Sequence, residues 1–153
     1  MKITLLVVGS VRGPLADAVH DYQQRAGRYW KLAVVEVDAG APGGEVEAVK
    51  SAEEERLLRR VPPAAEVVAL TRAGQPMGSR AFASYLQDQA LHARDVAFVI
   101  GGAHGLGAQV LKSARQLTLS SLTFPHEVAR LILAEQLYRA GTILRGEPYH
   151  KGP

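Results

Sequence analysis

The sequence predicts an α/β fold with a mostly parallel sheet and helices on both of its faces. Several short runs are apolar throughout and stop at turns rich in glycine or proline, which indicates strands covered on both sides. Between these runs, apolar residues recur at helical spacing, so strands and helices alternate along the chain. The chain has 153 residues and shows no repeat or linker, so we expect one domain spanning residues 1–153.

Composition excludes several classes of protein. The absence of cysteine excludes disulfides and thiolate metal sites, and the five histidines show no ligand spacing, so we expect no metal. No run approaches the roughly twenty apolar residues of a membrane span, and the N-terminal apolar run is too short for a signal peptide. We therefore expect a cytoplasmic protein without a membrane partner. A formal charge of +3 permits a nucleic-acid partner without requiring one.

The first half of the chain predicts two strands and two helices. In order, these are strand 3–8, helix 14–28, strand 32–37 and helix 45–60. The apolar runs ITLLVV and LAVVEV predict the strands. Pro14 suits a first helical turn, and Glu55 and Arg59 stand four apart in the order that favours an ion pair on a solvated face. The stretch AGAPGG at 39–44 predicts a flexible loop, either a plain connection or a lid or RNA-contacting arm.

The second half predicts further strands and two helices. In order, these are strand 67–70, helix 79–92, strand 96–100, strand 117–122 and helix 126–144. Ser79 is expected to cap its helix. The last helix has apolar stripes on two sides, more than one sheet face can cover, which favours a homodimer built on it. Glu135 and Arg139, four residues apart on that helix, predict a half-buried ion pair.

Two loops that end predicted strands are the first place to expect a site. Gly101-Gly102 ends strand 96–100, and residues 123–126 end the next strand; ligands of open α/β sheets bind beyond such ends. The glycine loop 101–107 exposes backbone groups but lacks both the dinucleotide fingerprint and a phosphate loop. With no nucleophile motif in the sequence, a group transfer that relies on positioning two substrates fits best. A glycine-rich turn without a ligand is the alternative.

Long stretches of the chain also match a known pattern. They are VIGGAHGLG at 99–107, LTLSSLTFPHEVARLILAEQLYRAGTIL at 117–144 and PYHKG at 148–152, with KITLLVVGSVRG at the N-terminus and ALTRAGQPMGSRAFASYL at 69–86. The chain thereby resembles the ribosomal RNA large-subunit methyltransferase H family of the SPOUT superfamily. The resemblance implies a homodimer with a C-terminal trefoil knot. The knot and cofactor site would occupy about 68–145, with a tail at 146–153.

The resemblance also implies a cofactor and a substrate. S-adenosylmethionine would bind between three loops, at Leu70, Gly101, Gly102, Gly105, Ser120, Ser121, Leu122, Thr123, Phe124 and Pro125. The implied reaction is methylation of N3 of pseudouridine 1915 in helix 69 of 23S rRNA, on the assembled 70S ribosome. A knotted ribosome-binding protein that no longer catalyses is the alternative.

Four residues near the C-terminus are candidates for the catalytic site that the resemblance implies. Arg139, Tyr149 and His150 are the candidates for substrate positioning and proton handling. Glu135 would orient Arg139, although these two could instead form an ion pair of the dimer interface. His126 would shape the cofactor loop, or simply bond to backbone at the start of its helix.

Overall fold

The computed structural model describes all 153 residues and contains a five-stranded sheet in which every ladder is parallel. The strands are β1 Lys2–Val8, β2 Lys31–Val37, β3 Glu66–Pro76, β4 Val96–Ile100 and β5 Arg115–Thr118, in the spatial order β2-β1-β4-β3-β5. The helices are α1 Ala16–Ala26, α2 Val46–Leu58, α3 Ser79–Leu91, α4 Ala108–Ser113 and α5 His126–Leu144, with a 3₁₀ turn at Gly13–Leu15. The predicted α/β class is confirmed.

The core lies on both faces of the sheet. Side chains alternate along β1 and β4, so that Leu5 and Phe98 pack towards α1, α3 and α5, while Leu6 and Val99 pack towards α2 and α4. All five residues of β4 are buried. Strands covered on both sides have no solvent-facing positions, and this explains why their sequences are apolar without alternation.

Strand β3 is longer than the predicted strand 67–70, because it continues to Pro76. Its register against β5 shifts, so that both Leu70 and Gln75 pair with Leu117. The close approach requires Gly74, where an added Cβ would lie 2.5 Å from the carbonyl carbon of Leu117. The extension depends on this non-local contact and not on a local apolar pattern.

Strand β5 is shorter than the predicted strand 117–122, because it ends at Thr118. The Thr118 hydroxyl accepts a hydrogen bond from the Ser120 amide at 3.1 Å and donates one to the Ser120 carbonyl at 2.6 Å. This local turn replaces the strand ladder and releases residues 119–125 as a loop.

Helix α5 begins and ends where the sequence predicts, and its inner side packs on the sheet. Leu133, Leu137 and Ala140 are fully buried, whereas Val128 and Ile132 are only half-buried on the outer side. The structure contains no helix with the length and apolarity that a membrane crossing requires.

One local prediction about helices is corrected and a second is confirmed. Ser79 is the first residue of α3, not its cap; Gly78 holds the cap position, and the Ser79 hydroxyl bonds to Gln136 of α5 at 2.7 Å. On α2, the predicted ion pair between Glu55 and Arg59 is confirmed. The neighbouring Glu53, however, is only 3% exposed and does not belong to a solvated face.

Candidate cofactor cleft and C-terminal cluster

A cleft of about 380 Å³ opens at the carboxyl ends of β4 and β5, beside the middle of β3. Its walls come from residues 70–72 of β3, which follow the part of that strand paired with β4, from the glycine loop after β4 and from the loop 119–125 after β5. The volume falls within the range of small-molecule sites, and the position is the one where parallel sheets bind ligands. The cleft mixes apolar side chains with backbone amides and carbonyls.

The cleft brings together most of the residues that the sequence assigned to a cofactor. These are Leu70, Gly101, Gly102, Gly105, Ser120, Leu122, Thr123 and Phe124. Ser121 is exposed and Pro125 holds the cap position of α5, and neither of them lines the cleft. Arg72, His104 and His126 also line it. His126 therefore stands beside the cleft at the start of α5, as its proposed role in shaping the loop requires.

The glycine loop is folded tightly on itself. Gly102 and Gly105 form a short antiparallel bridge in which the Gly105 amide donates to the Gly102 carbonyl at 3.0 Å. An added Cβ on Gly101 would lie 2.8 Å from the carbonyl carbon of Gly105, a contact that backbone atoms do not relieve. Gly105 has a φ of +81°, which favours glycine, and faces open space. The loop thus presents backbone groups to the cleft without obstruction.

Two glutamates of α2 support this loop from behind, and the sequence analysis missed both. Glu53 lies against Gly102, since an added Cβ there would be 2.9 Å from its Oε1. The Glu53 Oε2 accepts a hydrogen bond from the Gly40 amide at 2.8 Å, while its Oε1 has no partner. Glu54 accepts a hydrogen bond from the amide of Val110, in the first turn of α4, at 2.9 Å. Consecutive carboxylates therefore position the two ends of the glycine loop.

The sequence does carry a signal for Glu53. Val49 and Leu57 stand four residues before and after it, and both are buried. At helical spacing, this places Glu53 in the middle of the buried stripe of α2. The run of three glutamates concealed that position, because such a run normally covers a solvated face.

The four predicted catalytic residues form a second group at the other end of α5. The Arg139 guanidinium bonds to the Glu135 carboxylate through Nε at 3.0 Å and Nη2 at 2.6 Å. The Tyr149 hydroxyl donates to the same carboxylate at 2.9 Å. His150 Nδ1 lies 3.1 Å from Arg139 Nη1. The structure thus attaches the tail to α5 and confirms the ion pair between Glu135 and Arg139.

The contacts within this C-terminal cluster raise the pKa of two of its members. The hydrogen bond to Glu135 raises the pKa of Arg139 further above its ordinary value. Burial first, and then hydrogen bonding to Tyr22 and to Glu135, raise the pKa of Tyr149 well above its ordinary value, so the phenol stays protonated at neutral pH. Since arginine only donates, His150 Nδ1 accepts its bond, and His150 Nε2 lies 3.0 Å from the main-chain oxygen of Pro153.

The cleft and the C-terminal cluster do not meet within one chain. Glu135 lies nine residues after His126, which is about two and a half turns of α5 and about 13.5 Å along its axis. The half turn places Glu135 on the side of the helix opposite His126. Arg139 lies one turn further on, about 20 Å from the cleft end of the helix. A ligand held in the cleft is therefore out of reach of the cluster of the same chain.

Comparison with known proteins identifies the family. Residues 1–150 match the family described as predicted SPOUT methyltransferase. A protein of Gemmatimonas aurantiaca named ribosomal RNA large subunit methyltransferase H is 55% identical over 99% of this chain and 100% of its own length. The chain belongs to the methyltransferase H family. A second member, from Anaeromyxobacter, is 44% identical over the same shares of the two chains.

More distant solved structures share the fold of this methyltransferase H chain. A probable methylase family protein from Haemophilus influenzae has a TM-score of 0.56 at 12% identity, over 98% of this chain and 70% of its own. The TrmJ structure from Z. mobilis has a TM-score of 0.53 at 16% identity, over 100% of this chain and 73% of its own.

The structure of this chain contains no group of three or more His, Cys, Asp or Glu side chains that could hold a metal ion.

Proposed function

We propose that this protein is an S-adenosylmethionine-dependent methyltransferase that methylates N3 of pseudouridine 1915 in helix 69 of 23S rRNA. Its substrate would be the assembled 70S ribosome, which places the protein in the cytoplasm. The observation that carries the proposal is the cleft, since eight of the ten residues assigned to the cofactor line it. Full-length similarity to relatives named large subunit methyltransferase H supports the same activity.

The residues of the cleft fit the proposed cofactor. Apolar side chains such as Leu70, Leu122 and Phe124 would contact the adenine ring. The amides and carbonyls near Gly101 and Gly105 would bind its polar edge, because no Cβ obstructs them. When bound, S-adenosylmethionine supplies a methyl group on a sulfonium, and this group needs no metal or protein nucleophile.

The C-terminal cluster fits the other half of the reaction. The imide nitrogen N3 of pseudouridine would lose its proton to solvent, so that negative charge develops on the base. The new bond from N3 to the methyl carbon would replace the carbon–sulfur bond of the sulfonium, which leaves as a neutral thioether. Of the five N–H groups of Arg139, Glu135 and His150 engage three, and two stay free to donate to that charge. Glu135 fixes the plane of the guanidinium in advance, which is the condition for electrostatic catalysis.

A homodimer would join the two halves of the site. Because Arg139 faces away from the cleft of its own chain, it would act at the cleft of a second copy. The outer side of α5, with half-buried Val128, Leu131 and Ile132, offers the apolar surface for this contact. We extend the proposal to the trefoil knot within about 68–145 on the family resemblance.

The alternative is a ribosome-binding protein of the same fold without catalysis. Such a protein would have no need of an open cofactor cleft or of an arginine with free donors. The open space at Gly105 favours the methyltransferase, since a side chain that filled the cleft would be the simplest route to loss of activity.

The test combines calorimetric titration with S-adenosylmethionine, a size determination in solution and mass spectrometry of 23S rRNA. We expect one cofactor site per chain, a dimer, and a single added methyl group on pseudouridine 1915 of unmethylated 70S ribosomes. Ribosome binding without cofactor binding or methylation would support the non-catalytic alternative. Methylation at another nucleotide would contradict the proposed substrate and leave the methyltransferase assignment intact.

A further inference from the structure

Four of the five tyrosines of the chain lie in one continuous group on the outside of α1 and α5. They are Tyr22, Tyr29, Tyr138 and Tyr149. The Tyr138 ring is central, with centroids 4.6 Å from Tyr149, 5.8 Å from Tyr29 and 6.3 Å from Tyr22. All four rings are half-buried within the single chain, so each keeps part of its surface free of that chain's other side chains. A group formed only to fill the core would be buried.

Three arginines lie against these rings. Arg25 is 5.1 Å from the Tyr22 centroid, Arg139 is 4.8 Å from that of Tyr149, and Arg145 is 4.6 Å from that of Tyr29. At these distances the guanidinium cations interact with the aromatic faces. We call these four tyrosines and three arginines the tyrosine–arginine surface.

The carboxylates near this surface are already engaged. Asp21 pairs with Arg25 at 3.0 Å, and Glu147 accepts the Tyr29 hydroxyl at 2.5 Å. Glu135 is bonded to Arg139 and Tyr149. Arg145 has no carboxylate within ion-pair distance. Positive charge is thus available at the edge of the surface, beside hydrogen-bonding groups that are held in place.

We propose that the tyrosine–arginine surface binds the unpaired nucleotides that flank the methylated base in the RNA. The inference rests on the proposed function, because it extends the Arg139 and Tyr149 site along α1. Proteins that recognise unpaired RNA stack bases on aromatic rings and on arginine planes. Guanidinium groups beside those rings bind the phosphates between the bases. The surface offers both kinds of group in alternation and is continuous with the cluster that would hold the target base.

The chain provides a matched pair of arginines for the test. Arg25 pairs with Asp21 and Arg59 pairs with Glu55, each four residues apart on an exposed helix face. Only Arg25 lies on the tyrosine–arginine surface, whereas Arg59 lies on α2. Arg25→Ala and Arg59→Ala therefore remove the same charge and the same type of ion pair from two different surfaces. Arg145→Ala tests a second arginine of the tyrosine–arginine surface, one that is exposed and forms no ion pair.

The experiment measures the binding of each variant to purified 70S ribosomes that lack the methyl group, over a range of salt concentrations. We expect the double variant Arg25→Ala/Arg145→Ala to bind about tenfold or more weakly, with a salt slope smaller by about two. Arg59→Ala should match the wild type. The single variant Arg25→Lys should have the salt slope of the wild type but a lower affinity, because lysine keeps the positive charge and cannot stack as the planar guanidinium does.

Cofactor titration of the same variants separates the inference from the proposed function. Unchanged cofactor affinity with weaker ribosome binding supports the inference. Equal ribosome affinities and salt slopes for the double variant and Arg59→Ala overturn it, even if the wild type is an active methyltransferase. A wild type that binds ribosomes through this surface but transfers no methyl group overturns the proposed function alone.

Discussion

The cleft and the C-terminal cluster are built from different materials. Around Gly101 and Gly105 the wall of the cleft is backbone. A Cβ added to Gly101 would collide with the backbone of Gly105. The cluster is defined by the ends of long side chains, with Arg139 and Tyr149 both bonded to Glu135. Substitutions that add atoms should therefore impair the cleft, and substitutions that remove side-chain atoms should impair the C-terminal cluster.

This contrast also separates what each half contributes. A backbone site binds its ligand through amide and carbonyl groups that no single side-chain replacement removes. Such a site is suited to a cofactor that is the same in every reaction cycle. A side-chain site presents a charge and a proton at defined atoms, so it is suited to the chemistry of the nucleophile. Substitutions in the cleft should change cofactor affinity, and those in the cluster should change the rate.

The largest effect should follow Arg139→Ala. In the proposed reaction the guanidinium would stabilise the deprotonated base, and removal of such a group typically lowers the rate about a hundred- to a thousandfold. We expect methylation of 70S ribosomes to fall by this factor while cofactor affinity and dimer size stay unchanged. A variant that becomes monomeric would instead identify the pair with Glu135 as a contact of the dimer interface.

Gly101→Ala should affect the cleft in the complementary way. The added Cβ would lie 2.8 Å from the Gly105 backbone, so the loop must shift. Overpacking of this kind costs about 1–3 kcal/mol, which corresponds to a roughly 10- to 100-fold loss of cofactor affinity by calorimetry. Gly78→Ala is the control, because that glycine has an ordinary φ and open space around it. Equal affinities for the two variants would refute the backbone description of the site.

Glu53 tests whether the cleft depends on support from behind. Glu53→Ala removes the group that bonds the Gly40 amide and lies against Gly102. We expect about a tenfold loss of cofactor affinity, with partial recovery in Glu53→Gln, which keeps an acceptor for Gly40. Leu57→Ala, one turn further along the same buried stripe, should lower the melting temperature without changing the affinity. If both alanine variants leave the affinity unchanged, Glu53 is a structural residue only.

The same contrast explains which features the sequence predicted. Strand β4 and helix α5 were predicted with their observed bounds, because each has a continuous local pattern that burial dictates. The extension of β3 depends on Gly74 approaching Leu117 across the sheet, and no local pattern encodes it. Glu53 differs from Gly74, because Val49 and Leu57 do mark its buried position and the run of three glutamates conceals it. Local periodicity predicts the helices and strands, whereas contacts between helices and strands determine where individual side chains lie.

The candidate residues divide in a similar way. The glycine loop and the tail were recognisable from their composition and from the family resemblance, but the separation of their sites along α5 was not. Nor did the sequence indicate that Tyr22 and Tyr29 of the N-terminal region would meet Tyr138. These contacts join residues more than one hundred positions apart, so only the folded chain reveals them.

The smallest expected effect concerns pH and Tyr149. Because burial raises the pKa of the folded phenol above 10, the fold favours its protonated form. This contribution to stability is fully present below pH 10 and is lost as the pH rises through the folded pKa. Tyr149→Phe removes a hydrogen bond worth about 1 kcal/mol, or about 2–4 °C in melting temperature at neutral pH.

The pH dependence of the two melting temperatures then shows whether the Tyr149 phenol is buried and protonated in the folded protein. Between pH 7 and pH 9 the melting temperatures should differ by a constant amount. Above about pH 10 the wild type should lose stability faster than Tyr149→Phe, because only the wild type must keep this phenol protonated. Parallel profiles up to pH 11 would mean that Tyr149 is not buried against Glu135 in solution. In that case the tail is free, and the C-terminal cluster forms only when the RNA is bound.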